Sequence, residues 1–196
     1  MEVHYSNPML SDVRVGLLLV AAAVAAGCGR APEGAASGDT VHAVAAVPTT
    51  LTVTERGIGP LRAGMTLPEA SAALGGALVM PTVVDTAGCR YVQWRGGPPG
   101  VRVMVEGGHI ARVDVDAAGV RTAAGAGIGD SEVEVQRLYP GHVSVTPQKY
   151  TEGHYLTVTP NATDSSYAIV FETSGGKVTR FRAGRRPQVE YVEGCG

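Results

Sequence analysis

Five histidines, three cysteines and one close pair of aspartates are the residues of this chain best suited to chemistry. His4, His42 and His109 stand alone. His142 and His154 flank the segment VSVTPQKYTEGHY, and a pair twelve residues apart can meet across a hairpin as a proton-transfer couple. Isolated loop histidines are the competing reading. Asp114 and Asp116, two apart on an expected strand, share a face as paired carboxylates do, yet Arg112 beside them makes an ion-pair ladder the simpler account. No GxSxG, HExxH or P-loop occurs. Gly125-Ala126-Gly127-Ile128-Gly129 lacks both the lysine and the preceding buried strand of a phosphate-binding loop. Neither Cys89 nor Cys195 has a CxxC or HxxxH companion for a metal. The pattern points away from catalysis, and no cofactor or metal is expected.

The cysteines speak to compartment. Val15 to Ala26 is an apolar run too short for a bilayer core, which needs about 20 residues, but suited to the centre of an export signal. It ends in Ala25-Ala26-Gly27-Cys28, which resembles a lipobox, with Ala25 where that motif prefers leucine. The resemblance implies that residues 1–27 are a signal peptide and that Cys28 becomes the acylated N-terminus. An ordinary cleaved signal beside a chance cysteine is the alternative. Residues 28–52, rich in Ala, Gly, Pro and Ser, read as a flexible tether. Gly29, where an aspartate would retain the protein at the inner membrane under enterobacterial sorting rules, implies the outer membrane, facing the periplasm. Lipidation of Cys28 leaves Cys89 and Cys195, 106 residues apart, in an oxidising space. A disulfide between them is expected, with free thiols as the alternative.

The elements that would position these residues come twice. Gly64-Met65-Thr66-Leu67-Pro68-Glu69-Ala70 aligns with Gly129-Asp130-Ser131-Glu132-Val133-Glu134-Val135. Both read as a capping box, Thr66 with Glu69 and Ser131 with Glu134, opening a helix of about three turns. Gly75-Gly76 and Pro140-Gly141 stop the helices. Further on, Val101–Val113 parallels Ile169–Phe181, each an apolar strand, a glycine pair (Gly107-Gly108, Gly175-Gly176) and an alternating strand. That is a hairpin signal. Other strands are expected at Arg90–Trp94, Tyr155–Thr159 and Val189–Val192. Gly 27 and Pro 12 in 196 residues favour short elements joined by turns.

The segment GMTLPEASAALGG, with Gly64, Met65, Thr66, Glu69 and Gly75, resembles the helix motif shared by outer-membrane assembly lipoproteins of the BamE (SmpA/OmlA) type and β-lactamase inhibitor protein. The tandem layout is similar to the inhibitor. The second copy departs at Asp130 and at Tyr139-Pro140-Gly141. The resemblance implies an α+β fold: two tandem helix-plus-antiparallel-strand units, 53–120 and 121–196, forming one sheet with both helices on one face.

If the helices cover one face, the other lies open. With Val113, Val115 and Phe181 inward, parity sends Arg112, Asp114, Arg180 and Arg182 outward, and Leu156 and Val158 inward sends out Tyr155 and Thr157. Arg112, Tyr155, Thr157, Arg180 and Arg182 are therefore the expected partner-binding residues, since Arg and Tyr are enriched at interface hot spots. The net charge of −2 offers no footprint for nucleic acid. The expectation is a non-catalytic, lipid-anchored envelope protein that binds another protein. A carbohydrate- or peptidoglycan-binding module is the alternative, with Trp94, Tyr91, Tyr150 and Tyr155 as its aromatic platforms.

Overall fold

The structure, a computed structural model, describes residues 51–79, 88–161 and 163–195. The signal peptide, Cys28 and all of the tether up to residue 50 lie outside the described residues.

The chain opens with three short strands, β1 (Thr52–Thr54), β2 (Gly57–Ile58) and β3 (Leu61–Arg62), followed by helix α1 (Leu67–Ala73). Then come β4 (Leu78–Val79), β5 (Cys89–Trp94), β6 (Val101–Glu106), β7 (His109–Val115) and β8 (Arg121–Thr122). Helix α2 (Glu132–Leu138) precedes β9 (Val143–Pro147), β10 (His154–Val158), β11 (Tyr167–Ser174) and β12 (Lys177–Arg185). A 3₁₀ turn, Gln188–Glu190, stands where a final strand was expected. Eight strands form one sheet in the order β4-β5-β6-β7-β12-β11-β10-β9, and four form a second, β3-β2-β1-β8.

This corrects the α+β expectation of two helix-plus-strand units in a single sheet. The described residues are mostly β, with two sheets, and each of their two helices is only seven residues long. Two turns span about 10 Å, too little to cover eight strands. The small sheet supplies the missing cover. Its Val53, Ile58 and Leu61 are fully buried in one cluster with Leu67 and Ala70 of α1, Val135 of α2, and Val103, Val113, Phe171 and Phe181 of the large sheet. Tyr139, capping α2, stacks near Phe171 at 6.3 Å and donates its hydroxyl hydrogen to Thr122 Oγ1 of β8, which ties this helix to the small sheet. Strands of two or three residues have no room to display an alternating pattern, so the sequence conceals them.

Local repetition is nevertheless close. Gly64 N–H donates to Ile110 C=O, Ile110 N–H to Met65 C=O and Leu67 N–H to Gly108 C=O. In the second half Gly129 N–H donates to Val178 C=O, Val178 N–H to Asp130 C=O and Glu132 N–H to Gly176 C=O. Each helix is thus docked by its leader onto the first turn of its hairpin strand. Thr66 and Glu69 form a complete capping box. Ser131 caps α2 by accepting from Glu134 N–H, but the Glu134 carboxylate accepts from Arg137 instead of reaching back, so the second box is half formed. Gly107-Gly108 and Gly175-Gly176 have positive φ throughout, as two-residue hairpin turns of the primed type require.

Both hairpins also carry a register shift at equivalent places, between Met104 and Val105 and between Glu172 and Thr173. The extra residue lets Ile110 and Val113, and likewise Val178 and Phe181, all face the core although they lie three apart.

Candidate binding face and the tail that covers it

The large sheet's second face carries charge. Cross-strand register places Arg102, Asp114, Arg182, Val170, Thr157 and Ser144 in one row from β6 to β9. A neighbouring row runs Tyr91, Met104, Arg112 and Gly184. On the other side lie Arg180, Glu172, Tyr155 and Thr146. Gly184 must be glycine here: a Cβ would stand 2.5 Å from the Arg112 Cβ and 2.4 Å from the Ala111 carbonyl oxygen.

Sequence parity therefore placed Arg112, Tyr155, Thr157, Arg180 and Arg182 on a common face, but that face is not open. Arg112 is 3% exposed and Arg182 4%, because residues 188–195 fold back across them. Every N–H of the Arg112 fork is used. Nε and one Nη2 hydrogen meet the Asp114 carboxylate at 3.1 and 3.0 Å, and Nη2 also donates to the Tyr91 hydroxyl at 3.0 Å. Nη1 donates to the carbonyls of Gln188 at 2.7 Å and Tyr191 at 2.6 Å. Arg182 donates through Nε to the Val189 carbonyl at 2.6 Å and through Nη1 to Glu172, whose other oxygen accepts from Arg180 Nε at 2.5 Å. Burial pulls the Arg182 guanidinium below its ordinary pKa, against the pull of Glu172. Burial likewise raises the Tyr91 phenol, with Asp114 adding to the effect.

The tail is fixed along its length. Val189, fully buried, packs with Ala168, Val170 and Tyr155. The Gln188 side-chain amide donates to Glu106. Cys195 is bonded to Cys89 with Cα atoms 5.5 Å apart, well inside the range a disulfide accepts. Gly194 presses against the Tyr91 hydroxyl, where a Cβ would come within 2.8 Å.

The β9–β10 end of the face stays uncovered. Tyr155, Thr157 and Arg180 are partly exposed, and a groove of about 290 Å³ lies between Thr146, Tyr155 and Thr157 on one side and Glu190 and Val192 of the tail on the other. It continues into a wider depression of about 520 Å³ beside His142, Ser144 and Arg186.

The histidine pair does not assemble. His154 lies opposite Pro147 at one end of the β9–β10 pair, whereas His142 bonds the Thr159 carbonyl at the other. Asp116 pairs with Arg102 at 3.4 Å and Asp114 with Arg112, so neither carboxylate is free. His154 Nδ1 instead meets Glu132 at 2.9 Å, and that carboxylate also accepts from the Thr173 hydroxyl at 2.6 Å. The Thr173 and His154 hydrogen bonds, in that order, hold Glu132 below its ordinary value of 4.5. A depressed carboxylate contributes its stability fully above 4.5 and loses it as pH falls through the lower folded-state value. Thr173→Val removes the larger cause, so it should flatten the acid limb of stability against pH, read from urea midpoints between about pH 5 and 2. An unchanged limb would deny Glu132 this role.

Of the four aromatic platforms named for a glycan, Trp94 is buried with Gly97 lying flat against its ring. Tyr91 is half-buried and tied to Arg112, and Tyr155 lies under Arg182 at 5.8 Å. Tyr150 alone of the four is exposed, bonded to Glu193.

No protein-family profile matches the chain, and no curated protein matches it. Among solved structures, the crystal structure of the uncharacterized protein yfeY from Escherichia coli is similar at 19% identity and a TM-score of 0.46, covering 68% of this chain and 99% of that one. A likeness at that level says nothing of activity.

Glu172 and Gln188 build this face and were not singled out from sequence, and Val189 was expected only as the start of a strand. Glu172 was findable, since it has the opposite parity to the buried Phe171 and falls on the Arg182 side of the hairpin. Gln188 and Val189 carried no such signal, because QVEYV reads as a strand.

Proposed function

We propose that this protein is a non-catalytic, lipid-anchored protein of the bacterial envelope that binds another protein through the uncovered β9–β10 end of its large sheet. The observation that carries the reading is the division of labour on that face. Arg112, Asp114, Glu172 and Arg182 are consumed by one another and by the tail, so they are not free to act on a substrate. Beside them Ser144, Thr146, Tyr155 and Thr157 form a polar, accessible surface bordered by the paired Arg186 and Glu190. Anchoring rests on the apolar run and the Ala25-Ala26-Gly27-Cys28 sequence, and the outer membrane on Gly29. Of the four aromatic platforms, Trp94 is buried and Tyr91 is tied to Arg112, which favours a protein over a glycan as the ligand.

Photo-crosslinking in intact cells tests both parts. A benzophenone side chain at Thr157 should give a light-dependent adduct with another protein, and the same group at the exposed Arg137 of α2 should not. Cys28→Ser should move the protein from the membrane fraction to the soluble periplasm and abolish the adduct if the partner is membrane-held. No adduct at Thr157 rejects the binding surface, and membrane retention of an uncut Cys28→Ser precursor rejects the lipid anchor.

A further inference from the structure

We infer that the partner docks by adding an extended, uncharged strand to the outer edge of β9, an inference that rests on the protein-binding reading and names the chemistry of its ligand. Strand β9 is the last of the eight, and among the described residues nothing pairs with its far side. Gln148 N–H donates to Gly153 C=O at 2.9 Å, and Thr159 N–H donates to His142 C=O at 3.1 Å. Hydrogen-bonded and non-bonded pairs alternate in an antiparallel ladder, so Ser144 and Thr146 spend their backbone groups on β10. Val143 and Val145 must then direct both N–H and C=O outward. Pro147 adds an outward carbonyl and no donor. The edge presents two donors and three acceptors at the two-residue spacing of a strand, which is the pattern another polypeptide backbone matches.

The side chains of β9 select the partner. The strand Val-Ser-Val-Thr-Pro carries no charge, and four of its five residues are exposed. Lysines or inward charges, the usual guards of an edge, are absent from it. Residues of an added strand would alternate, one set lying beside Ser144 and Thr146 toward the groove at Tyr155 and Thr157, the other beside the exposed Val145. β9 itself offers no counter-ion, and the charges bordering the groove are already paired, Arg186 with Glu190 and Arg182 with Glu172, so a charged segment would lose hydration unmatched and the ligand is neutral. A second copy fits less well. In a two-fold pairing centred on Val145, Pro147 faces Val143 and one bond is lost at each end. Val143 of the incoming copy is already packed on its own core. An unfolded segment has both faces free.

The test uses the full-length protein and synthetic peptides of about ten residues alternating valine and threonine, with a lysine/glutamate-substituted set as control. Amide exchange read by NMR should show the Val143 and Val145 amides slowed at least about tenfold by the neutral peptides and not by the charged ones. Val145→Pro deletes one outward donor and leaves the β10 pairing intact, so binding should fall at least about tenfold with unchanged thermal melting. Val145→Lys, which keeps the backbone donor and adds a guard charge, should weaken binding in a variant that folds even if the proline variant does not. Peptide binding that leaves both amides unprotected overturns the inference. So does protection that grows with protein concentration alone, which would make a second copy the occupant. A Thr157 adduct that persists undiminished in Val145→Pro would retain protein binding and reject strand addition, whereas absence of any adduct rejects the wider reading.

Discussion

Glu172→Ala is expected to lower folding stability by about 3–5 kcal/mol, the cost of leaving a buried charge without its partner. Glu172 is 2% exposed and serves two guanidiniums. Its contact with Arg180 contributes little, because that side chain is about half in water. Arg182 is the decisive partner: without Glu172 its cation keeps the Val189 carbonyl, the Tyr155 ring and the cross-strand Asp114, whose carboxylate Arg112 already engages. The same geometry makes charge reversal at Arg182 costly, although sequence parity placed that residue on an open face. Arg182→Glu would face one buried carboxylate with another. Double substitution of Glu172 and Arg182 by methionine should recover much of the loss, since neither charge is then stranded. Urea unfolding of the single and double variants reads both numbers, and a loss below about 1 kcal/mol for Glu172→Ala would mean that Arg182 finds water by a small movement of the tail.

The second large effect belongs to Cys195→Ser. The cross-link closes a loop of 106 residues, for which the chain-entropy treatment gives roughly 4–5 kcal/mol at 25 °C. Oxidised wild-type protein and the serine variant should differ by that amount in denaturant unfolding. The variant should also show faster amide exchange from residues 188–195 and quenchable fluorescence from the uncovered Tyr91. A difference under about 1 kcal/mol would show that Arg112, Arg182 and Val189 hold the tail without help from the sulfur bridge.

How much of this was legible depends on the range of the interaction. The Thr66 cap, the two glycine-pair hairpins and the inward parity of Val113 and Phe181 are local signals, and each is visible in the chain as written. The layered arrangement was not. β1, β2, β3 and β8 are too short to show a period, yet together they form the second sheet that replaces the expected all-helical cover. The candidate face was half legible for a similar reason. Alternation assigned Arg112 and Arg182 to the correct side of their strands, but nothing in the sequence says that QVEYVEGC returns to lie on them. That contact joins residues 76 positions apart and is decided by tertiary geometry. Strand β9 shows the opposite failure. Val143 and Val145 alternate with Ser144 and Thr146 in the manner of a half-buried strand, yet the segment was weighed only as a stretch flanked by two histidines and no strand was expected there.

The position of the tail in chain order has a consequence for biogenesis. β7 and β12 are neighbours at the centre of the large sheet, although Arg112 and its partner Gly184 are far apart in sequence. The sheet cannot close until the second hairpin has emerged, and the charged face cannot be sealed until residues 188–195 follow. On the proposed route of export, the first half waits with Arg112 and Asp114 bare, bridged to each other, to Tyr91 and to solvent. Such an intermediate has an open central strand edge on β7 and an unpaired Cys89 thiol. It is the species on which a chaperone or thiol oxidase would act, and the one most exposed to intermolecular strand pairing. Slow release of the C-terminal residues should lengthen its life, whatever the stability of the finished protein.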